Sequence, residues 1–213
     1  MTRTVDVATP QGPARLHLHD PDSPPRGLLV LGHGAGGGIQ APDLVAVAVA
    51  AQGAGWLVAR MEQPWRVAGG RVAPAPSRLD AAWIPTLAAL ADLVGRAGGG
   101  GGPLVVGGRS AGARVACRTA ATVAADGVVC LAFPLHPPGR PERSRLAELA
   151  GAAERVPVLA VQGRRDAFGK SEELRDVAPP NVTVVAVDGD HGLAAGAGAA
   201  GSAVAAWLVS RFG

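Results

Sequence analysis

The stretch Pro103-Leu-Val-Val-Gly-Gly-Arg-Ser-Ala-Gly112 decides the fold, because it places a G-x-S-x-G pattern directly after a short apolar run. In this pattern Gly108 and Gly112 flank Ser110. A nucleophilic serine of this kind needs a sharp turn from a strand into a helix, which holds the hydroxyl clear of its own backbone. A chain with 31 glycines can also contain the pattern as a glycine-rich turn with an incidental serine. The surrounding sequence must therefore support the assignment.

The residues on either side of the motif fit a strand and a helix. Residues 104–106 are a short apolar run typical of a buried strand. Residues 110–124 predict a helix, with Val115, Thr119 and Val123 on one side. Ser110 is therefore expected between the two elements, where the motif requires it.

The rest of the chain alternates short apolar runs with helix-like segments. Residues 2–8 and 14–19 alternate around Pro10-Gln-Gly-Pro13 and predict an antiparallel hairpin. Runs typical of strands buried on both faces of a sheet follow at 27–31, 56–59, 104–106, 128–133, 156–161 and 182–187. This order predicts an α/β fold with a mostly parallel sheet and helices on both faces, in a single domain over residues 1–213.

Helix starts are indicated by proline, acidic and capping residues. Pro42-Asp43 predicts one start, and Ser77 with an acid three residues later predicts a capping box at another. Pro85 is expected to kink or restart that second helix. Further helices are expected from about Pro141, after residue 171 and over 200–212, and the glycine run 98–102 is expected to be a flexible connection.

Four chemically useful segments follow predicted strands, at the sheet edge where parallel strands collect reactive groups. Ser110, Asp166 and His191 come in the chain order serine, acid, histidine, each after a different strand. In this hypothesis His191 removes the proton of Ser110, and Asp166 orients His191 and stabilises its cation. The backbone N–H groups of Ala35, in the glycine loop 32–38, and of Ala111 are expected to form an oxyanion hole.

Alternatives to these assignments remain open. Asp188 or Asp190 could replace Asp166, and His136 is a rival base. The spacing of Gly32, Gly34 and Gly37 also matches the G-x-G-x-x-G pattern of NAD(P)- or flavin-dependent oxidoreductases, with an acid at residue 62. A non-catalytic interaction module on the same scaffold is a third possibility. Acyl transfer or perhydrolysis would use the same residues as ester hydrolysis.

Four segments carry a resemblance to a known family: Leu31-Gly-His-Gly-Ala-Gly-Gly37, Gly108-Arg-Ser-Ala-Gly-Ala-Arg114, Phe133-Pro-Leu-His-Pro-Pro-Gly-Arg140 and Val161-Gln-Gly-Arg-Arg-Asp-Ala-Phe-Gly169. Over nearly its whole length the chain resembles the α/β-hydrolase superfamily, and more narrowly the small cap-less proteins related to dienelactone hydrolase, in particular the Tex30/KANSL3-like group. The resemblance implies an α/β-hydrolase fold without a cap domain and a carboxylesterase-like serine hydrolase. It leaves the role of the loop 134–140 and the natural substrate open.

The substrate is expected to be a small ester in an open site, because no insertion is long enough for a lid domain. Trp65, Phe133 and Phe168 are the candidate bulky walls, with core packing as the alternative for Phe133, and His136 is a further candidate substrate contact. Arg66 and Arg71 are possible attractants for an acidic substrate, or simply solvated surface residues. No cofactor and no metal cluster are expected.

Composition excludes several other classes of function. The net charge of +3 comes from scattered arginines, and aromatic residues make up only 3% of the chain, so a nucleic-acid surface is not indicated. Without an apolar segment of membrane-spanning length or a signal-peptide core at the N-terminus, we expect a cytoplasmic protein that does not enter the membrane. Cys117 and Cys130 fall in a predicted helix and strand and are expected to be buried free thiols.

Overall fold

The computed structural model describes residues 2–94 and 102–213, which form one eight-stranded sheet. Its strands are β1 (Thr2–Thr9), β2 (Gly12–His19), β3 (Leu28–Gly32), β4 (Leu57–Glu62), β5 (Leu104–Arg109), β6 (Gly127–Leu131), β7 (Val158–Gly163) and β8 (Val182–Val187). They lie in the order β1-β2-β4-β3-β5-β6-β7-β8. The β1–β2 hairpin and the β2–β4 pair are antiparallel, and the other pairs are parallel. All eight predicted strands are confirmed.

The helices in the described part of the chain are α1 (Pro42–Gly53), α2 (Pro64–Val67), α3 (Pro76–Leu93), α4 (Ala111–Thr119), α5 (Leu146–Ala153), α6 (Ser171–Val177) and α7 (Ala197–Phe212). Side chains alternate along each strand, so the sheet buries two separate apolar layers. Leu29 and Leu31 face a layer closed by α1 and α7. Val30 and Val106 face the opposite layer, which receives side chains from α3, α4, α5 and α6. Helices therefore cover both faces, as the sequence predicts.

Helix α4 is shorter than the sequence predicts. It ends at Thr119, and residues 120–124 form turns instead of continuing the helix to 124. The N–H of Ala125 donates to the carbonyl of Ala120 while Ala124 adopts a φ of 50°, an arrangement that closes a helix end. The Thr119 hydroxyl also bonds the Val115 carbonyl at 2.7 Å.

Helix α5 begins at Leu146, so the predicted start near Pro141 is wrong. The N–H of Arg145 donates to the carbonyl of Leu135 at 2.7 Å, which ties the preceding segment to the loop after β6. The Ser144 hydroxyl then accepts the N–H of Leu146 at 3.1 Å. Tertiary hydrogen bonds, which leave no local sequence signal, thus move the start of this helix from about Pro141 to Leu146.

Smaller differences concern α2 and α3, and the prediction for the glycine run stays untested. The one-turn helix α2 has no counterpart among the sequence predictions. Helix α3 has Ala75 as its N-cap with no side-chain cap, so the capping box predicted at Ser77 does not form, and the helix continues through Pro85 without restarting. Most of the glycine run 98–102 lies outside the described residues.

The two cysteines are free thiols, as the sequence predicts. Cys117 and Cys130 are free and buried, with their Sγ atoms 3.5 Å apart. None of the helices in the described ranges has the length and apolar character needed to cross a bilayer. Because β3, β5, β6, β7 and β8 run parallel, the loops that follow them meet at one edge of the sheet.

Candidate active site

Ser110 lies at the turn between β5 and α4 in a conformation that non-glycine residues rarely adopt. Its φ is 52° and its ψ is −108°, and its N–H donates to the carbonyl of Leu131 at 2.9 Å. A Cβ at Gly108 or Gly112 would collide with the carbonyl oxygen of Gly32. The two flanking glycines therefore allow the turn to pack against β3, and the packing in turn holds the strained serine.

Ser110, His191 and Asp166 form a continuous hydrogen-bonded row. The Oγ of Ser110 is 2.9 Å from Nε2 of His191, and Nδ1 of His191 is 2.8 Å from Oδ2 and 3.0 Å from Oδ1 of Asp166. Since an ionised carboxylate only accepts, the proton on this side of the ring is on Nδ1. Nε2 is then free to accept from the Ser110 hydroxyl. Three residues from three distant segments are thus in the order that proton transfer from the serine requires.

The carboxylate of Asp166 is fully buried and saturated with donors. Its Oδ1 also accepts the N–H of Phe168 at 2.8 Å, and its Oδ2 accepts from Nε2 of Gln162 at 3.0 Å. Gln162 is itself held by the carbonyls of Phe133 and Gly169. These fixed donors orient the carboxylate toward His191 and offset the cost of burying its charge.

Two further contacts hold His191, one to its ring face and one to its backbone carbonyl. The ring of Phe168 stacks on the imidazole with the centroids 4.1 Å apart. The Arg109 side chain donates from Nη2 to the His191 carbonyl at 2.9 Å. Arg109 Nε in turn lies 3.3 Å from Oδ2 of Asp43, out of line for a hydrogen bond. The Asp43–Arg109 pair therefore links the first turn of α1 to the loop that carries His191.

Asp43 differs from an ordinary acid at a helix start, because its side chain is completely buried. Burial raises the pKa of this carboxyl group, while Arg109 and the N–H groups of the first turn of α1 act in the opposite direction. Proline and an early acid do open α1 as predicted. The ion pair with Arg109 is an additional contact that the sequence pattern does not reveal.

The glycine loop after β3 lies beside Ser110 and is fixed by His33. Nδ1 of the buried His33 bonds the Gly34 carbonyl at 2.9 Å, and its Nε2 accepts the N–H of Gln63 at 3.1 Å. Burial lowers the pKa of His33, which favours the neutral ring that this arrangement requires. Among the described residues, the N–H groups of Ala35 and Ala111 have no acceptor, and both residues line the same cleft as Ser110.

The cleft has a volume of about 470 Å³ and is open to solvent. Its walls include residues from five segments: Gly34, Ala35, Gly36, Arg109, Ser110, Ala111, Arg114, Pro134, Arg145, Phe168 and His191. Of the predicted substrate contacts, only Phe168 belongs to this set. The cleft is therefore more cationic and less aromatic than the sequence suggested.

The other three predicted substrate contacts lie elsewhere. Phe133 is fully buried and packs in the core, so the structure does not support it as a wall of the cleft. His136 turns toward a separate groove, where its Nε2 is 3.4 Å from Glu173. Trp65 lines a smaller neighbouring pocket that also borders Ala35 and Ala111, with its ring 5.5 Å from that of His33. None of these three side chains lines the cleft beside Ser110.

The rival acids are also displaced from the imidazole nitrogens. Asp188 is largely exposed and lies 3.8 Å from Arg164, and Asp190 accepts the N–H of Gly192 at 2.8 Å. Arg66 donates to the Gly70 carbonyl and does not line the cleft. The sequence reasoning missed the cleft residues Arg109, Arg114 and Arg145. Arg109 and Arg114 belong to the segment 108–114 around the serine motif, whereas Arg145 had no local signal.

The comparisons with known proteins identify the family and the fold. A family model described as "Alpha/beta hydrolase domain" matches residues 25–203, which is most of the chain. The chain belongs to the alpha/beta hydrolase domain family. No curated protein matches its sequence. The narrower likeness to the Tex30/KANSL3-like group stays a prediction.

Solved structures show the same fold for this alpha/beta hydrolase. A serine hydrolase homologue from Coxiella burnetii superposes with a TM-score of 0.79 at 16% identity, covering 98% of each chain. A serine hydrolase without a lid from Xanthomonas campestris gives 0.73 at 18% identity, covering 97% of this chain and 94% of the other. A Pyrococcus furiosus esterase gives 0.78 at 18% identity, covering 100% and 92%. The α/β-hydrolase fold without a cap is therefore confirmed.

The family does not favour the dinucleotide-binding alternative, and the loop geometry gives a reason. A dinucleotide fingerprint needs its glycines at the start of a helix, where the helix N-terminus meets the pyrophosphate. Here α1 begins only at Pro42, after the glycine loop 32–38 has ended. The acid at the end of β4, Glu62, lies 3.7 Å from His17 of β2. Neither feature is arranged as the oxidoreductase hypothesis expects.

Proposed function

We propose that this alpha/beta hydrolase is a carboxylesterase-like serine hydrolase that cleaves small esters through an acyl-enzyme. The observation that carries the proposal is the row of hydrogen bonds from Ser110 through His191 to the buried Asp166, at the wall of an open cleft. The Pyrococcus furiosus esterase and the two serine hydrolases named above support the same class of small-molecule substrate. We further propose that residues 1–213 act as one domain.

In the first half of the proposed reaction, His191 takes the Ser110 proton while Oγ attacks the ester carbonyl carbon. The carbonyl oxygen becomes an oxyanion, which the N–H groups of Ala35 and Ala111 would bind. As the intermediate collapses, the bond to the alcohol oxygen breaks, and the proton on Nε2 of His191 passes to that oxygen. The alcohol leaves, and the acyl group remains on Ser110.

The second half repeats the same steps with water as the nucleophile. His191 removes one proton from water while its oxygen attacks the acyl carbon, and the oxyanion again forms beside Ala35 and Ala111. Collapse breaks the bond to Oγ, which regains the proton from His191. The acid is released and the enzyme returns to its starting state. Throughout, Asp166 stabilises the imidazolium without taking its proton.

The shape of the cleft supports small or exposed acyl groups. None of the seven helices in the described part of the chain forms a lid domain, and the cleft opens to solvent. Phe168 offers an apolar ring next to His191, where it would shield the reacting atoms from part of the solvent.

The test is labelling with a fluorophosphonate probe, which reacts covalently with activated serines. We expect the native protein to be labelled and Ser110→Ala to lose both the label and the hydrolysis of para-nitrophenyl butyrate. Ser202→Ala is the matched control, because it removes an exposed hydroxyl from α7 and should be labelled like the native protein. Undiminished labelling of Ser110→Ala, or no labelling of the native protein, would overturn the assignment.

A further inference from the structure

The cleft beside Ser110 is lined by three arginines, Arg109, Arg114 and Arg145, which we call the arginine wall. Among the described residues that line this cleft there is no aspartate or glutamate. Esters of simple uncharged acids and alcohols need no such wall. The charge balance of each arginine therefore bears on the kind of substrate that the enzyme takes.

Two of the three arginines are neutralised by the protein itself. Arg109 is paired with the buried Asp43 and also donates to the His191 carbonyl. Arg114 makes a two-pronged contact with Glu148, at 2.8 Å from Nε and 2.6 Å from Nη2. Both guanidinium groups thus have a structural partner of opposite charge.

Arg145 is the member of the wall without such a partner. Its Nη1 donates to the Pro134 carbonyl at 3.1 Å, and in the described part of the chain its other guanidinium nitrogens have no acceptor. Glu148 is near enough to attract it, but the carboxylate oxygens of Glu148 already accept from Arg114 and Arg118. Arg118 is also paired with Asp80, at 2.9 and 2.7 Å.

The whole cluster therefore has an excess of positive charge. Arg114, Arg118 and Arg145 supply three cations against the two anions Asp80 and Glu148, which leaves one charge unbalanced. Partial burial, together with the neighbouring Arg114, lowers the pKa of Arg145, although an arginine stays charged at neutral pH. A partly buried cation that faces a ligand cleft is stabilised most by an anion in that cleft.

We infer that the natural substrate is an ester that carries a carboxylate, and that Arg145 binds this carboxylate while the ester carbonyl lies at Ser110. This inference rests on the proposed function. The planar fork of a guanidinium matches the two oxygens of a carboxylate, so the free edge of Arg145 suits this anion. The pairing would balance the charge of the arginine cluster and select acidic esters over neutral ones.

Two matched pairs of esters test the inference and locate the charge. The first pair, mono-para-nitrophenyl adipate and its methyl ester, carries the charge on the acyl side. The second pair, para-acetoxybenzoate and its methyl ester, carries it on the alcohol side. In at least one pair we expect kcat/KM of the native enzyme to be at least about tenfold higher for the anion, as a charge-assisted hydrogen bond allows. Equal or lower values for the anion in both pairs would overturn the inference.

Variants of Arg145 and of the neighbouring Arg143 then show which side chain produces the preference for the anionic ester. Arg145→Gln should abolish the preference for the anion, and Arg145→Lys should retain part of it. Arg143→Gln removes the same charge from an exposed position in the same segment and should leave the preference unchanged. The ratio within a pair is insensitive to partial loss of folded protein. A preference that survives in Arg145→Gln, or disappears in Arg143→Gln, contradicts the assignment.

Binding measurements separate this inference from the proposed function. Calorimetric titration of Ser110→Ala with the same esters reports recognition without turnover. Tighter binding of the anion, lost in Ser110→Ala/Arg145→Gln, supports the inference even if the native protein hydrolyses none of the esters. Equal binding within both pairs overturns it, and hydrolysis of the neutral esters that depends on Ser110 would leave the proposed function standing.

Discussion

Asp166 and Asp43 are both fully buried carboxylates linked to His191, but their contacts differ. Asp166 accepts from the imidazole, from Gln162 and from a backbone N–H. Asp43 faces the N–H groups of the first turn of α1 and one guanidinium, Arg109, with which it makes no aligned hydrogen bond. Burial alone therefore does not identify the acid of the candidate triad. The contacts around each carboxylate distinguish a group that orients the imidazole ring from one that anchors a loop.

The difference also explains why the two carboxylates reach His191 at different atoms. Asp166 contacts the ring, where it sets the tautomer. Asp43 pairs with Arg109, which donates to the His191 carbonyl, so Asp43 helps to fix the backbone of the loop that carries His191. Substitutions at the two carboxylates and their neighbours test whether Asp166 acts on the ring and Asp43 on the backbone.

The largest expected effect comes from Asp166→Asn. The amide keeps the shape but donates toward Nδ1, which favours the wrong tautomer of His191, so kcat should fall by about ten-thousandfold. Steady-state hydrolysis of para-nitrophenyl butyrate measures this. Asp188→Asn, at a largely exposed acid close to His191 in the sequence, should retain native activity. A near-native kcat for Asp166→Asn would remove the distinction between the two carboxylates.

The next effect is on stability and comes from Arg109→Met. This change leaves the buried Asp43 without a counter-charge and should lower the free energy of unfolding by about 3–5 kcal/mol, measured by urea denaturation at neutral pH. The double variant Asp43→Asn/Arg109→Met should be less destabilised than Arg109→Met alone, because no unpaired charge remains buried. The single variant Asp43→Asn completes the comparison. If the loss of stability in the double variant equals the sum of the losses in Asp43→Asn and Arg109→Met, Asp43 and Arg109 do not function as an ion pair.

A smaller effect is expected when the ring against His191 is removed. Phe168→Leu should lower kcat by about threefold to tenfold, since such ring contacts contribute about 0.5–1.5 kcal/mol. Phe212→Leu is the matched control, because its ring contacts Trp56 and Trp207 instead of the cleft. That variant should lose stability but keep its kcat. Equal losses of kcat in both variants would argue against a local role for Phe168.

The smallest effect is a pH dependence of the free energy of unfolding, which Asp43→Asn should remove. Since burial raises the pKa of Asp43 above its ordinary value of 3.8, the native state holds this proton more tightly than the unfolded state. The native protein therefore loses stability as pH rises from that value through the pKa in the folded state. The free energy of unfolding of Asp43→Asn, minus that of the native protein, should rise over this window and then level off. A difference independent of pH would contradict the shift.

Strands and strand ends were predictable because their signals are local. Continuous apolar runs mark buried parallel strands and identified β3 to β8, while alternating residues around a turn identified the β1–β2 hairpin. Ser110, Asp166 and His191 were nominated because each follows such a run, and the structure brings their side chains within hydrogen-bonding distance. Their catalytic roles stay predictions until activity is measured.

Helix ends and the direction of side chains near the cleft were less predictable. Leu146 begins α5 because hydrogen bonds from Arg145 to the loop after β6 hold the preceding residues, and no sequence pattern encodes that contact. Phe133, expected inside the strand run 128–133, lies just after β6 and is buried in the core, and His136, which follows β6 as expected, is directed toward Glu173. Position along the chain fixes which loop a residue occupies, but not which way its side chain points.

The sequence by itself determined the strand order along the chain and the serine turn, because periodicity and glycine positions act over a few residues. It nominated the candidate acid and base but left rivals for each. Only the tertiary structure decided which buried carboxylate faces the imidazole and which arginine lacks a partner. Those properties depend on distances between Asp43 and Arg109, or between Glu148 and its arginines, on elements far apart in the chain. Charge balance in a cleft is a property of the packed elements together.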